Sequence, residues 1–309
     1  AATILQAKLQ LASSTNSIGV FDAENVETGG MNIRNVHAVF TLPGSGAIDL
    51  RQCLGQIEQE KIELSAEMTP LQSGPGMRWR GYAFVSGDFG HLLKRAGISE
   101  RFLHGDMRLL FAGQGMLNKD KPWWQGLDGR LRLRVDQGRI MEGGTLTKLL
   151  AAMNLLDLPK LFIGQRGDLT GPGMMYDRLQ MESTMHEQEV QVHKIALRSP
   201  AMDLAGNGRL TLDNDNIDII LIARPFQNLD AILSKIPLLR DLLGGGSYTL
   251  MRQVYWMHGP FTNATVEQIP PEKAGLAPPG LVESLLSLPE RWFGKSAPAK
   301  APKPAPAGR

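Results

Sequence analysis

Residues 127–156 change their hydrophobic period once, and this change constrains the fold more than any other feature of the chain. From 127 to 136, small or apolar residues alternate with Asp and Arg. Period two is typical of a β-strand with one apolar and one solvated face. From 145 to 156, leucines recur at steps of three and four residues, which predicts a short amphipathic helix that ends before Pro159.

The same alternation recurs, less regularly, along most of the chain. Strands are predicted at residues 3–11, 32–42, 60–68, 78–86, 105–113, 126–140, 176–185, 190–198, 202–212, 217–223, 248–258 and 264–269. Gly, Asn, Asp and Pro separate these runs, as antiparallel hairpins require. With 34 glycines and only 6% aromatic residues, the composition favours repetitive β-structure over a compact enzyme. We therefore predict a mainly β chain.

A few short amphipathic helices are expected to interrupt the sheet. Besides 145–156, they are predicted near 88–96, with Asp88 as the N-cap, and near 229–243. After residue 269, proline pairs mark a linker, residues 281–288 carry a helical leucine stripe, and Ala, Pro and Lys dominate from 294. The predicted organisation is a β segment over 1–269, a linker and amphipathic helix over 270–293, and a disordered tail over 294–309.

Bulk properties exclude several classes of protein. The net charge of +2 gives no electrostatic case for nucleic-acid binding. The single cysteine, Cys53, excludes an intrachain disulfide and is interpreted as a small apolar side chain on a strand. No apolar run reaches the length of about 18 to 20 residues that spans a membrane. Because the chain begins in strand-like sequence, we expect it to be the C-terminal piece of a longer protein.

No pattern of catalytic or metal-binding residues is present. His186 and His193 do not have the spacing of a His-Glu-x-x-His zinc site, and the glycine-lysine-serine triplet that begins at Gly294 follows no strand and no P-loop glycine. Asp213, Asp215 and Asp218 form a cluster that lacks the ligand order of a calcium loop, so a turn is the better interpretation. We predict no enzymatic activity, no metal and no cofactor.

The apolar residues of the alternating runs are candidates for lining a groove that accepts acyl chains. These are Ile62, Leu64, Met107, Leu109, Phe111, Leu131, Leu133, Val135, Leu204, Leu210 and Leu212. The alternative is an ordinary core beneath a second sheet, and the residues alone do not choose between the two. Arg130, Arg132 and Arg134 form a cationic row that could contact phosphate headgroups or cover a solvated outer face.

Several of these segments together resemble the C-terminal region of AsmA-like proteins, nearest the YhdP branch, with TamB a more distant relative. The strand that ends in Asp-x-Gly-x-Ile at Ile140, the leucine helix and Pro159 carry the resemblance. It continues through residues 162–173, 176–179, 199–212 and 248–266, and covers about residues 80 to 293.

The resemblance implies an elongated, curled, half-pipe antiparallel sheet with an apolar inner face. It implies that the full-length protein moves phospholipid between the two membranes of a Gram-negative envelope. An inner-membrane anchor would lie upstream, and this segment would lie in the periplasm. The alternative that the relatives suggest is a scaffold for outer-membrane protein assembly, with an envelope protein as its partner. A third class, a polysaccharide-acting enzyme, has no cluster of acidic residues to support it.

The C-terminal helix carries candidates for membrane contact. These are Leu281, Leu285, Leu288, Trp292 and Phe293. Leucines in a helical stripe beside an aromatic pair suit a membrane interface. A helix that caps the open end of the sheet is the equally weighted alternative.

Overall fold

The structure, a computed structural model, describes residues 3–12, 17–28, 31–72, 76–95, 99–117, 126–141, 148, 173–199, 202–225, 253–260 and 263–270. Its strands are β1 (Thr3–Ala12), β2 (Ser17–Thr28), β3 (Met31–Leu42), β4 (Ile48–Ile57), β5 (Glu60–Pro70), β6 (Met77–Asp88), β7 (Phe102–Leu103), β8 (Asp106–Leu117), β9 (Asp128–Ile140), β10 (Met174–His186), β11 (Glu189–Arg198), β12 (Met202–Thr211), β13 (Asn216–Pro225), β14 (Gln253–Pro260) and β15 (Thr265–Ile269). The described part contains one complete helix, α1 (Phe89–Arg95).

All strands belong to one antiparallel sheet whose spatial order follows the order of the chain. Fourteen strands form a continuous path from β1 to β15, and the short β7 lies off this path and pairs with β9. Within the described ranges, β1 pairs only with β2 and β15 only with β14, so the sheet is open. This confirms the prediction of a mainly β chain that forms a long, open antiparallel sheet.

The register divides the sheet into an apolar face and a polar face. Residues directly opposite each other on neighbouring antiparallel strands point to the same side. One such row crosses six strands with apolar residues only: Ile62, Val85, Leu109, Leu133, Met181 and Ile195. The adjacent row on the other side contains Lys61, Ser86, Arg108, Arg134 and Gln180. We call these two sides the apolar face and the polar face.

The sheet is strongly curled, as a contact far from the sheet path shows. Lys148 Nζ donates hydrogen bonds to Asn263 Oδ1 (2.8 Å) and to the carbonyl oxygen of Ala264 (2.9 Å). Asn263 lies in the turn after β14, and the end of β14 at Pro260 shares a row with Asp128 of β9. In a flat sheet, Ile140 at the other end of β9 would therefore lie about 40 Å from this turn along the strands and about 24 Å across them. The residues from 141 to 148 and a lysine side chain reach about 35 Å at most. Only a curled sheet closes this distance.

Helix α1 lies against the apolar face near one end of the rows. Asp88 Oδ1 accepts a hydrogen bond from the backbone N–H of His91 (2.8 Å), which makes Asp88 the N-cap, as the sequence predicts. The Phe89 ring packs edge-on against Phe102, with ring centroids 5.3 Å apart. The helix falls inside the predicted segment 88–96. The segments predicted to be helical at 145–156 and 229–243 lie outside the described residues except for Lys148, and residues 271–309 lie outside them entirely.

Burial differs along the sheet. Around α1, one core cluster joins Phe89, Met107, Val135, Tyr176 and Leu179. A second core on the apolar face of the C-terminal strands contains Met202, Ile219, Leu221, Ala223 and Tyr255. In the same strands the polar face is buried too, at Ala196, Ala205, Ile222 and Val254. Part of each strand from β11 to β14 therefore carries buried residues on both faces.

Candidate functional site

Ten of the eleven predicted groove-lining residues lie on the apolar face. The register aligns Ile62 with Leu109 and Leu133, and Leu64 with Phe111 and Leu131, through β6 between β5 and β8. Met107 and Val135 share the next row, and Leu204 and Leu210 of β12 continue the same side through β10 and β11. Leu212 lies in the turn that follows β12.

These residues divide into a core and an accessible part. Met107 and Val135 have 0% exposure because Phe89 and Tyr176 pack over them. The other nine are half-buried, including Ile62, Leu64 and Leu133. From β5 to β9, the apolar face therefore keeps an accessible surface beside the part that α1 covers. The described residues place no second sheet over it.

Aromatic rings cover glycines on the accessible part of the apolar face. Gly113 of β8 pairs directly with Gly129 of β9, and a Cβ at Gly129 would lie 2.5 Å from the Phe111 ring. The Trp79 ring lies over Gly115 in the same way, and the Trp79 and Phe111 ring centroids are 6.2 Å apart. Because the glycines have no side chains, both rings lie close to the backbone and shield it, which keeps this surface apolar.

A polar cluster anchors α1 at the end of the apolar face. His91 Nδ1 lies 2.7 Å from Glu60 Oε1, and His91 Nε2 lies 2.8 Å from Glu58 Oε2. Arg95 forms an ion pair of 2.8 Å with the other oxygen of Glu58. Glu60 is 1% exposed and its second carboxylate oxygen has no hydrogen-bond partner. A carboxylate this deeply buried depends on the histidine for charge compensation.

The polar cluster makes the attachment of α1 depend on pH. The hydrogen bond to Glu60 raises the pKa of His91 above its ordinary value, and the charges of Glu60, Glu58 and Asp88 act in the same direction against desolvation. Protonated His91 therefore stabilises the folded state through its pairs with Glu60 and Glu58. Because its pKa is raised in the folded state, this stabilisation is complete below the unfolded-state pKa and is lost as the pH rises through the folded-state pKa.

We therefore expect His91→Gln to lower the melting temperature at pH 5 to 6 and to have a much smaller effect at pH 9. Thermal unfolding of the parent protein and the variant, followed by circular dichroism across this range, measures the difference. His193→Gln is the control, because the exposed His193 ring contacts the Thr184 hydroxyl and no carboxylate. A difference between parent and His91→Gln that stays constant with pH would refute the coupling.

The cationic row lies on the polar face, opposite the candidate groove. Arg134 and Arg178 both hydrogen-bond to Asp136, at 2.7 Å from their Nε atoms. Burial alone would raise the pKa of Asp136, but these two arginines hold it below its ordinary value. Arg130 and Arg132 are exposed and form no hydrogen bond or ion pair with the residues that the structure describes. This placement corresponds to the solvated-face interpretation of the row.

Three further features concern the described residues only: metal ligands, membrane-spanning helices and the cysteine. No three His, Cys, Asp or Glu side chains there are arranged to hold a metal ion. Among the described residues, no helix has the length and hydrophobicity needed to cross a bilayer. Cys53 is half-buried on the apolar face of β4, and its burial raises the pKa of the thiol. The membrane-contact candidates Leu281, Leu285, Leu288, Trp292 and Phe293 lie outside the described residues.

Three side chains that close the cores were not among the candidates from sequence. Tyr176 and Tyr255 have 1% and 0% exposure, and burial raises the pKa of Tyr255 to about 12. Phe89 begins α1. In the sequence, these three residues are recognisable only as aromatic residues near the start of a strand or helix, and this position does not separate a buried ring from an exposed one.

Comparisons with protein families, with curated proteins and with solved structures found no match to this chain.

Proposed function

We propose that this chain binds the acyl chains of phospholipids along the apolar face of its sheet and passes them between the membranes of a cell envelope. The observation that carries the proposal is the continuous, half-buried apolar surface from β5 to β9, built from aligned residues of four strands. An exposed apolar surface of this continuity is a feature of binding sites. The envelope location and the upstream anchor rest on the resemblance to AsmA-like proteins.

The physical properties of this surface suit a hydrocarbon chain. Each methylene that leaves water gains about 0.8 kcal/mol, whichever methylene of the chain it is. Rows of Leu, Ile, Val and Phe offer no hydrogen-bond donors or acceptors to fix one position, so an acyl chain can move from row to row with little change in free energy. The polar headgroup would remain in water at the open side.

Lipid that remains bound through purification tests the proposal. The protein is purified in mild detergent, extracted with organic solvent and analysed by mass spectrometry for phospholipids. We expect phospholipid at a stoichiometry of one or more per chain. A protein that carries no lipid from a membrane-containing extract, and that instead co-purifies with an outer-membrane assembly factor in a reciprocal pull-down, would overturn lipid transport and favour the scaffold.

A further inference from the structure

The polar face carries a mixed arginine and apolar surface across β6, β8 and β9. Two adjacent rows form its centre: Tyr82 and Arg130 lie in one, Phe84, Leu110 and Arg132 in the other. We call these five residues together with Arg80 of the neighbouring row the β6–β9 patch. Tyr82 is 42% exposed and Leu110 37% exposed, so large apolar side chains remain in solvent beside the arginines.

The arginines of this patch are available to a partner. Within the described part of the chain, Arg130 and Arg132 form no hydrogen bond or ion pair, although Glu182 lies directly opposite Arg132 in the register. Glu182 instead approaches Lys194, with 3.8 Å between Oε1 and Nζ. In the same part of the chain, Arg80 forms a single side-chain hydrogen bond, of 3.3 Å to Gln114. Unpaired guanidinium groups beside an exposed aromatic residue are typical of protein interfaces.

Carboxylates surround the patch and limit its width. Glu63 and Glu67 of β5 lie along one side of the patch, and Glu182 of β10 lies along the other. The basic strip between them is three strands wide, about 15 Å. If a flat anionic membrane bound here, its headgroups would approach these carboxylates and repel them. A single helix with its side chains is about 10 to 12 Å across and fits between them.

We propose that the β6–β9 patch docks an acidic amphipathic helix of a partner protein. Apolar side chains of that helix would pack on Tyr82, Phe84 and Leu110, and its flanking glutamates would form bidentate pairs with Arg130 and Arg132. The patch lies on the opposite side of the sheet from the acyl-binding surface, so the two sites can be occupied together. Docking through exposed charge pairs weakens as salt rises.

The test uses two synthetic helical peptides of about 18 residues, which differ only in whether glutamate or lysine flanks a leucine stripe. Fluorescence anisotropy measures their binding to the full chain at about 50 mM and about 300 mM salt. We expect the glutamate peptide to bind and the lysine peptide not to bind. Arg130→Gln/Arg132→Gln should weaken binding of the glutamate peptide by about 10-fold.

Two comparisons separate docking from unfolding and from other ligands. Arg209→Gln is the matched control, because Arg209 is an exposed arginine of β12 away from the patch; it should bind the peptide as the parent does. Failure of the glutamate peptide to bind, or binding unaffected by Arg130→Gln/Arg132→Gln, would overturn the proposal. The proposal would also be overturned if the arginines mediated flotation with phosphatidylglycerol vesicles, or binding of oligothymidine, and not binding of the peptide. Unchanged melting temperatures establish that the variants are folded.

Discussion

Val135→Asp is expected to lower the free energy of unfolding by about 3 to 5 kcal/mol, enough to unfold much of the sheet at 37 °C. Val135 has 0% exposure and lies in the core cluster with Phe89, Met107 and Tyr176. An ionised carboxylate in this cluster loses its hydration, and no cationic side chain belongs to the cluster to compensate its charge. Urea denaturation followed by tryptophan fluorescence gives the free energies of parent and variant.

Arg130→Asp on the same strand is the control. Its side chain is on the polar face and exposed, so the same aspartate is expected to change stability by about 0.5 kcal/mol or less. Similar effects of the two substitutions would mean that β9 does not separate a closed core from solvent. The assignment of the two faces would then be wrong.

Leu109→Glu is expected to weaken acyl-chain binding by at least about 10-fold while the protein stays folded. Leu109 is half-buried in the middle of the apolar row, between Val85 and Leu133. Its partial exposure allows a carboxylate to reach water, but the charge would interrupt the apolar surface that a hydrocarbon chain contacts. Displacement of a fluorescent fatty acid measures the affinity.

Leu110→Glu is the matched control, because Leu110 is the next residue of β8 and points to the polar face. This substitution should leave the fatty-acid affinity unchanged and weaken the binding of the acidic helical peptide instead. Leu109→Glu should leave peptide binding unchanged. Loss of fatty-acid binding in both variants would indicate a general structural defect, and loss in neither would refute the acyl-binding surface.

Besides the two-residue β7, two strands, β2 and β4, were absent from the sequence prediction for physical reasons. β2 carries Ile18 and Val20 on the polar face as well as Phe21 on the apolar face, so its polar and apolar residues do not alternate cleanly. In β4, the register shifts between Leu50 and Cys53, and such a shift breaks the period of two. In neither strand do apolar and polar residues keep the period of two on which the prediction rests.

The candidate site was predictable in part. Alternation placed Leu131, Leu133 and Val135 on one side of β9, since the side of a strand to which a residue points follows from its position alone. The sequence did not separate Val135 from Leu133, because the difference is α1, which covers one and leaves the other accessible. It also left the arginine row with two interpretations until the register showed its side of the sheet.

By itself, the sequence determined the mainly β class, the apolar and polar sides of most strands, and the N-cap of α1. These properties depend on neighbours within a few residues, and short hairpins turn them into an antiparallel order. Only the tertiary structure decided which stretch of the apolar face is closed, which residues of β11 to β14 are buried on the polar face, and that the sheet curls enough for Lys148 to reach Asn263. Burial and curvature depend on residues that are distant in the chain, and hydrophobic periodicity carries no information about them.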